Sequence, residues 1–479
     1  MDALNKIALG THTKVFENNS VVGVKTKYDV VFAIILSDTP NLGEVREIKT
    51  QYPSVSIVSI KDEENSIYFV GDNKISPIYD DLQVYKSRKN KDVNSDNFEA
   101  FLFELHSVIR DLDGAHSDVV LDELCKLIFT KIYFEKNNKC FSIEGVNKFE
   151  WYSIITDAYI KACDGFALDS TEGISLSPSC VFELSSRLES VNFSSLPFDL
   201  KGRMFQKLIS SSLRAGMGQY FTPQEIIELV VGCIDPKENE LIIDPFCGSG
   251  HFLLESAKYL NMIFNTSYIE NNIYGIEKNS RIFRVAMTDF MFSTGSSGVI
   301  LHADSLLDFD NYKDNLEGCF DIVMTNPPFG SLLSSESLLN LSKFDLLDGK
   351  KNVPLEIIGM ERSVELLKIG GRLGIVIPDS ILTNKSNHYV REWIKVNLSV
   401  DAVISLPIET FSPFGASVKT SVLIATKTEP NSKSHNEKVF MAVSENIGYD
   451  ASGRERKGSD IQAIIHEFKK FKLNQGLNL

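Results

Sequence analysis

The 479-residue sequence predicts an α/β fold built on an open, mostly parallel sheet. Three observations predict it. From residue 241 onward, short apolar runs alternate with patterns of helical period. Three of these runs end in or just before an acidic residue, and the first leads into a glycine-rich turn. Ahead of this region lie a helical stretch and a β-rich stretch, so we expect two further domains before the sheet.

The first 95 residues are predicted to form a small β-rich accessory domain of unknown role. Runs at 29–36, 55–60 and 66–70 are rich in β-branched residues, as strands are. Between residues 97 and 215, apolar residues such as Leu105 and Ile109 recur at helical spacing. These stripes are most simply the core of a helical domain, and a partner-binding face is the alternative interpretation.

A helix start is predicted at the end of the loop 216–223. Thr222 is followed by Pro223 and, three residues on, by Glu225. This is the pattern of a capping box, with Thr222 as the N-cap and Pro223 in the first helical position. The alternative interpretation is functional. It places the Thr222 hydroxyl, with Tyr220 and Phe221, close to a bound ligand.

The strand 241–244 ends in Asp244 and runs into a turn that contains Gly248 and Gly250. Glycines let the backbone approach a ligand closely, and the N-terminus of the next helix faces that ligand. A carboxylate on the strand end would repel a phosphate. It would attract a cationic ligand instead, such as the amino group or the sulfonium of S-adenosylmethionine.

Two more acidic residues follow at later strand ends. Glu277 ends the run 272–277, and Asp304 follows the run 299–302. A carboxylate in the first position suits ribose hydroxyls, as in dinucleotide folds, and one in the second suits an adenine amino group. A single such acid is more often a helix cap. Three in succession indicate one ligand site.

A strand at 320–325 leads into Asn326 and then Pro327, Pro328 and Phe329. Prolines donate no backbone hydrogen bond, so the strand must stop there, and Asn326 is held in an extended conformation. The Asn326 amide oxygen and the Pro327 carbonyl could accept hydrogen bonds from a planar amine while the Phe329 ring stacks on it. The alternative interpretation is a simple turn with a buried phenylalanine.

The cysteine content and the apolar runs of the sequence limit which bonds, metal sites and locations are expected. The seven cysteines are scattered without a CxxC pair, which fits reduced thiols better than disulfides or a zinc site, so no metal is predicted. Cys247 receives no role beyond packing. The N-terminus lacks the apolar region of a signal peptide, and no apolar run is long enough to span a membrane. We therefore expect a cytoplasmic protein.

These motifs, in this order, resemble those of N6-adenine DNA methyltransferases, specifically the modification (M) subunit of bacterial type I restriction–modification systems. Residues 218–223 resemble the family's motif X, residues 244–250 its cofactor motif I, and residues 326–329 its catalytic motif IV. Residues 404–407, 411–415 and 445–450 are also similar, and the resemblance covers roughly residues 97–470. Phe246 departs from the pattern, because the family more often has alanine there, and it crowds the loop.

The resemblance implies a Rossmann-like core of seven strands at residues 216–430 that binds S-adenosyl-L-methionine. A C-terminal helical tail at 431–479 would contact another subunit. The implied activity is site-specific methylation of adenine N6 in double-stranded DNA, within a restriction–modification or related defence complex. The catalytic residues would be Asn326, Pro327, Pro328 and Phe329. The cofactor would be bound by Gln219, Tyr220, Phe221, Thr222, Asp244, Pro245, Gly248, Ser249, Gly250, Glu277, Asp304 and Asn326.

The net charge of the chain indicates whether it would bind DNA alone or with partner proteins. A protein that binds DNA alone usually has a basic surface, whereas the formal net charge here is −15. With the resemblance, this implies a separate specificity subunit and a second M subunit, and it leaves a restriction subunit open. Two alternatives to the implied function also stay open. One is a methyltransferase that acts on RNA adenine or protein glutamine, and the other is a non-catalytic, cofactor-binding scaffold of a DNA-defence complex.

Overall fold

The structure is a computed structural model of the chain. It describes the backbone of six N-terminal strands and residues 98–115, 117–165, 173–189, 191–193, 222–264, 272–294, 298–306, 316–330, 332, 344–348, 350, 352–414, 418–430 and 438–475. The chain divides into two compact units, Met1–Leu200 and Lys201–Leu479. In the part of the chain that the structure describes, no helix is both long and apolar enough to cross a membrane.

The first unit contains a sheet followed by helices. Its strands pair in sequence order, and all neighbours are antiparallel except β3 and β4. The strands are β1 (Thr13–Asn18), β2 (Val21–Lys25), β3 (Val31–Ile35), β4 (Ile57–Lys61), β5 (Ser66–Val70) and β6 (Ile75–Ile78). The helices are α1 (Phe98–Asp113), α2 (Ser117–Lys136), α3 (Lys148–Gly165) and α4 (Pro178–Leu188).

The second unit confirms the predicted α/β class. Its helices are α5 (Gln224–Ile234), α6 (His251–Phe264), α7 (Ser280–Thr294), α8 (Leu355–Leu366), α9 (Asp379–Thr383), α10 (His388–Asn397) and α11 (Ile461–Asn474). Its strands are β7 (Ile242–Asp244), β8 (Ile273–Glu277), β9 (Val299–His302), β10 (Phe320–Thr325), β11 (Leu367–Pro378), β12 (Leu398–Ser405), β13 (Thr420–Lys427) and β14 (Phe440–Val443). They form one sheet in the order β14-β12-β13-β11-β10-β7-β8-β9.

The directions of the strands determine at which edge of the sheet the loops that follow them lie. β13 runs antiparallel to both β11 and β12, and every other neighbouring pair is parallel. The carboxyl ends of β7, β8, β9, β10, β11, β12 and β14 therefore meet at one edge of the sheet. In an open α/β sheet this edge is where ligands bind.

Both faces of the sheet are buried under helices. Side chains alternate along β10, so Ile322 and Met324 enter one apolar cluster with α5, α6 and α11, whereas Val323 enters a second cluster with α8 and α10. A strand buried on both faces must be apolar throughout, which explains the uninterrupted run Ile322, Val323, Met324.

The C-terminal stretch 431–479, which the sequence predicts to be a helical tail, contains a strand as well as a helix. It contributes β14, which pairs in parallel with β12 from Ala402↔Phe440 to Ser405↔Val443, and so raises the predicted seven strands to eight. It also contributes α11, whose Ile464, Ile465 and Phe468 are buried in the same cluster as α5. Pairing and burial make this stretch part of the second unit.

Phe468→Ala should destabilise the second unit by about 3–5 kcal/mol, because the side chain is almost fully buried and its removal leaves a cavity. Leu473→Ala on the same helix is the matched control. Leu473 is 63% exposed, so its loss should cost less than about 0.5 kcal/mol. Urea unfolding followed by circular dichroism measures both. If both substitutions lowered the free energy of unfolding by the same small amount, this would contradict the packing of α11 in the core of this unit.

Candidate active site

A cleft open to solvent lies at the carboxyl ends of the neighbouring parallel strands β7 and β10. Loops that follow these strands, together with the starts of nearby helices, form its wall. Its lining residues are Thr222, Asp244, Phe246, Cys247, Gly248, Ser249, His251, Phe252, Ile282 and Asn326. The motif residues from three separate segments of the sequence are thus brought to one place.

The glycine turn after β7 has the backbone conformation that its sequence requires. Gly248 and Gly250 have φ values of +53° and +83°, a region in which a residue with a Cβ is strained. The N–H of Gly248 donates to Glu277 Oε2 at 3.1 Å, and Glu277 Oε1 accepts from Asn279 N at 2.7 Å. Burial raises the pKa of Glu277. The carboxylate of Glu277, at the end of β8, therefore holds the backbone of the glycine turn in place.

Asp244 is the most deeply buried of the three strand-end acids, with 2% of its surface exposed. Its Oδ1 accepts from Thr325 Oγ1 at 2.6 Å and from the Phe246 N–H at 3.0 Å. Burial outweighs these two bonds and raises the pKa of Asp244 to about 7. Such a carboxyl favours a positively charged neighbour, because a cation would stabilise the ionised form.

The Asn326 amide is oriented by Thr222. Its Nδ2 donates to Thr222 Oγ1 at 2.9 Å. Its Oδ1 is buried and has no hydrogen-bond partner among the residues that the structure describes. A buried acceptor without a partner costs free energy, so such atoms are rare and are often functional. The oxygen that the sequence predicts as an acceptor is thus the one left available.

The predicted capping box at Thr222 is wrong. α5 begins one residue later than predicted, Pro223 occupies the N-cap position, and no side chain caps the helix. The first turn closes on the Pro223 carbonyl instead, which accepts from Ile226 N at 3.0 Å. Thr222 lies outside the helix, so its hydroxyl is free to contact Asn326.

The loop after β10 is held from its other side by α8. Glu356 Oε2 accepts from the Gly330 N–H at 3.1 Å, and burial raises the pKa of Glu356. A Cβ built on Gly359 would lie 3.0 Å from Pro327 Cβ and 3.1 Å from the Phe246 ring. The absence of a side chain at Gly359 therefore makes room for the Phe246 ring that the sequence predicts to crowd motif I.

Phe329 lies in the apolar cluster and not in the wall of the cleft. It is buried, and its ring packs edge-to-face on Phe411 with 6.3 Å between the ring centres. Pro328 beside it is exposed. The contact with Phe411 fixes the plane of the Phe329 ring.

The structure brings only part of the predicted site together. Thr222, Asp244, Gly248, Ser249 and Asn326 line the cleft, and Pro245, Gly250, Glu277, Pro327 and Phe329 lie in the adjoining loops and strand ends. Asp304 does not line it: its Oδ2 contacts Lys278 Nζ at 2.7 Å, and its Oδ1 accepts from the Leu306 N–H at 3.0 Å. Gln219, Tyr220 and Phe221 lie outside the described residues.

Five lining residues were not predicted to bind a ligand: Phe246 and Cys247 of the glycine turn, and His251, Phe252 and Ile282. His251 and Phe252 directly follow the glycine turn, so their place in the sequence could have indicated them. Burial lowers the pKa of His251 to about 4, which keeps its ring neutral. Ile282 comes from α7, and only the fold brings it to the cleft. Burial raises the pKa of Cys247, so it stays a thiol and packs near Gly275.

Comparisons with known proteins agree with this geometry. A family model described as N-6 DNA Methylase matches residues 199–478. The methylase subunit of the type I restriction enzyme EcoEI from Escherichia coli is 26% identical over 264 residues, which cover 52% of this chain and 51% of that protein. The type II restriction enzyme and methyltransferase RM.BcgI from Heyndrickxia coagulans is 26% identical over 250 residues, which cover 50% of this chain and 37% of that protein. The chain thus spans about half the length, or less, of these curated relatives.

Solved structures establish the fold. The type I restriction-modification system methyltransferase subunit from Streptococcus thermophilus superposes with a TM-score of 0.54 at 18% identity, covering 79% of this chain and 94% of that one. A protein from Listeria monocytogenes assigned as a class I S-adenosylmethionine-dependent methyltransferase gives 0.57 at 16% identity, covering 79% and 98%. The predicted class of fold is confirmed.

Asp244→Asn should stabilise the protein increasingly as the pH rises from about 4 to above 7. The folded-state pKa of Asp244, about 7, lies above the ordinary value near 3.9. The stability that its neutral form contributes is therefore complete below about pH 4 and is lost as the pH rises through 7. Asparagine can accept the same two hydrogen bonds and never ionises.

Urea unfolding at several pH values measures this effect, and the difference from the unaltered protein should reach on the order of 4 kcal/mol at pH 8. Asp348→Asn, at an exposed acid, is the control and should change the free energy of unfolding by less than about 0.5 kcal/mol. Parallel pH profiles for Asp244→Asn and the unaltered protein would contradict the buried, protonated state.

Proposed function

The chain belongs to the N-6 DNA methylase family, and on this premise we propose that it transfers the methyl group of S-adenosylmethionine to the N6 amino group of adenine in DNA. The observation that carries the proposal is the Asn326 amide. Its oxygen is buried without a described partner beside the cleft, and its nitrogen is committed to Thr222. This arrangement favours an incoming amine as the missing donor.

The residues of the cleft fit the cofactor. S-adenosylmethionine, when bound, supplies an electrophilic methyl group on a positively charged sulfur. Asp244 and Glu277 provide the negative charge for its cationic and hydroxyl groups, and the glycine turn allows close approach. Phe246, Phe252 and Ile282 provide apolar contacts.

The chain's own residues then act on the target amine. Asn326 Oδ1 and the Pro327 carbonyl accept hydrogen bonds from the N6 amino group, which keeps the nitrogen lone pair directed at the methyl group. The adenine must leave the duplex to reach this position. Phe329 would stack on the base, for which its ring must turn from its buried packing on Phe411 towards the cleft. Catalysis comes mainly from positioning and fixed dipoles.

We further propose that the protein works in the cytoplasm with partner subunits. These are a specificity subunit that reads the DNA sequence, a second M subunit and, in some assemblies, a restriction subunit. The net charge of −15 supports a need for partners in DNA binding. Met441 and Val443, which are 70% and 68% exposed on the sheet's edge strand β14, support a subunit contact at the C-terminal stretch.

Asn326→Ala should lower methyl transfer on the order of 10³-fold while S-adenosylmethionine still binds, because it removes an acceptor used only by the reacting amine. Mass spectrometry of N6-methyladenine in cellular DNA measures transfer, and titration calorimetry measures cofactor binding. Asn474→Ala, at an exposed position at the end of α11, is the control. Full transfer by Asn326→Ala would refute the assignment. Methylated RNA adenine or protein glutamine in place of DNA adenine would redirect it.

Thr222→Val should lower the turnover number roughly tenfold or more with a smaller effect on the Michaelis constant for DNA, because the amide of Asn326 loses its orienting acceptor. Valine has nearly the shape of threonine but no hydroxyl. Thr222→Ser keeps the hydroxyl and should restore turnover to near the original value. Equal turnover for the valine and serine variants would show that the contact with Asn326 does not position the amide.

A further inference from the structure

A basic hairpin, whose backbone is held by its own hydrogen bonds, lies at the edge of the sheet that carries the cleft. We define it as residues 448–458. It follows β14, which runs parallel to β12 and shares its direction with β10. The hairpin therefore leaves the sheet at the same edge as the loop that holds Asn326. No part of the proposed reaction uses it.

The hairpin's backbone is fixed by its own hydrogen bonds. Asp450 Oδ1 accepts from the N–H groups of Ser452 and Arg454 at 2.8 and 3.1 Å. The Arg456 N–H donates to the Gly448 carbonyl at 2.7 Å. At its base, Asn446 Nδ2 donates to the carbonyls of residues 457 and 458 at 2.9 and 2.8 Å. Tyr449 at the start of the hairpin is buried, whereas residues 451–458 are exposed. In this exposed part the hydrogen bonds, and not packing, hold the backbone that carries the side chains.

Three cations extend from this hairpin. Arg454, Arg456 and Lys457 are exposed. Among the described residues, Arg456 and Lys457 form no ion pair. Many other cations of the second unit are neutralised by an acid, among them Lys237, Lys278, Arg362, Lys368, Arg372, Lys469 and Lys472. The hairpin also contains two acids, Asp450 and Glu455, so three cations and two acids leave it with a net charge of +1 on a chain of net charge −15. Asp450 is engaged by the backbone of the hairpin itself.

A continuous set of contacts ties the hairpin to the catalytic loop. Tyr449 Oη donates to the Thr410 carbonyl at 2.8 Å, and the next residue, Phe411, packs on Phe329. At the tip, a Cβ built on Gly453 would lie 3.2 Å from Pro413 Cβ. The cations are therefore held in a fixed relation to the ring that would stack on the target base.

We propose that the basic hairpin binds the phosphate backbone of duplex DNA and so holds the strand that carries the target adenine. The inference rests on the proposed function, which makes DNA the substrate. Guanidinium and ammonium groups are the side chains that pair with phosphates, and such contacts fix the register of a protein on DNA without reading its sequence. A rigid backbone lowers the entropy that these side chains lose on binding.

The test uses the full chain and a fluorescent duplex of about 30 base pairs of mixed sequence, with binding followed by anisotropy across a range of salt concentrations. The double variant Arg456→Gln/Lys457→Gln should raise the dissociation constant roughly tenfold at about 100 mM salt and reduce the salt-dependence slope by about 1.8. The matched double variant Lys395→Gln/Lys470→Gln removes two exposed cations from α10 and α11. It should bind like the unaltered chain.

The outcomes separate this inference from the proposed function. Unchanged affinity and slope in the hairpin variant would overturn the inference even where the chain methylates DNA. Equal losses in both double variants would also overturn it, because the effect would then be one of net charge. Absence of salt-dependent binding by the unaltered chain would do the same. Cofactor binding, which should be equal in all variants, and the Asn326→Ala comparison decide the proposed function independently.

Discussion

The hydrogen bond from Thr325 Oγ1 to Asp244 Oδ1 joins the ends of two neighbouring strands, and the candidate site depends on it. Because β7 and β10 are in parallel register from Ile242↔Ile322 to Ile243↔Val323, these two side chains end their strands side by side. Asp244 leads directly into the glycine turn, and Thr325 leads directly into Asn326. One buried contact thus sets the separation between the acid that suits a cationic methyl donor and the amide that suits the acceptor.

The site carries a cost in stability. Asp244 is buried with a raised pKa, and Asn326 Oδ1 lacks a described partner. Each of these states disfavours the folded protein in the absence of a ligand. The two apolar clusters on the faces of the sheet offset this cost, because the strands that carry the site are buried on both sides. Because the side chains of the site stand at the ends of rigid strands, its hydrogen-bond donors and acceptors are held in place.

The C-terminal stretch links the basic hairpin to the elements that carry the candidate site. β14 extends the sheet and α11 packs on α5, so the basic hairpin between them stands on a fixed base. Tyr449 and Phe411 then relate this hairpin to Phe329. If the proposed function holds, the exposed cations of the hairpin can contact the phosphates of the DNA strand, and partner subunits can supply further phosphate contacts.

The sequence by itself determined the alternation of strands and helices, the acids at strand ends and the stop imposed by Pro327 and Pro328, because period and backbone chemistry are local properties. Only the tertiary structure decided which segments meet. It turned the hydroxyl of Thr222 to Asn326 instead of a helix cap, directed Asp304 to Lys278, and fitted Phe246 against Gly359. Each of these contacts joins residues 26 to 113 positions apart or competes with a local bond of similar strength, so no local pattern could have chosen between them.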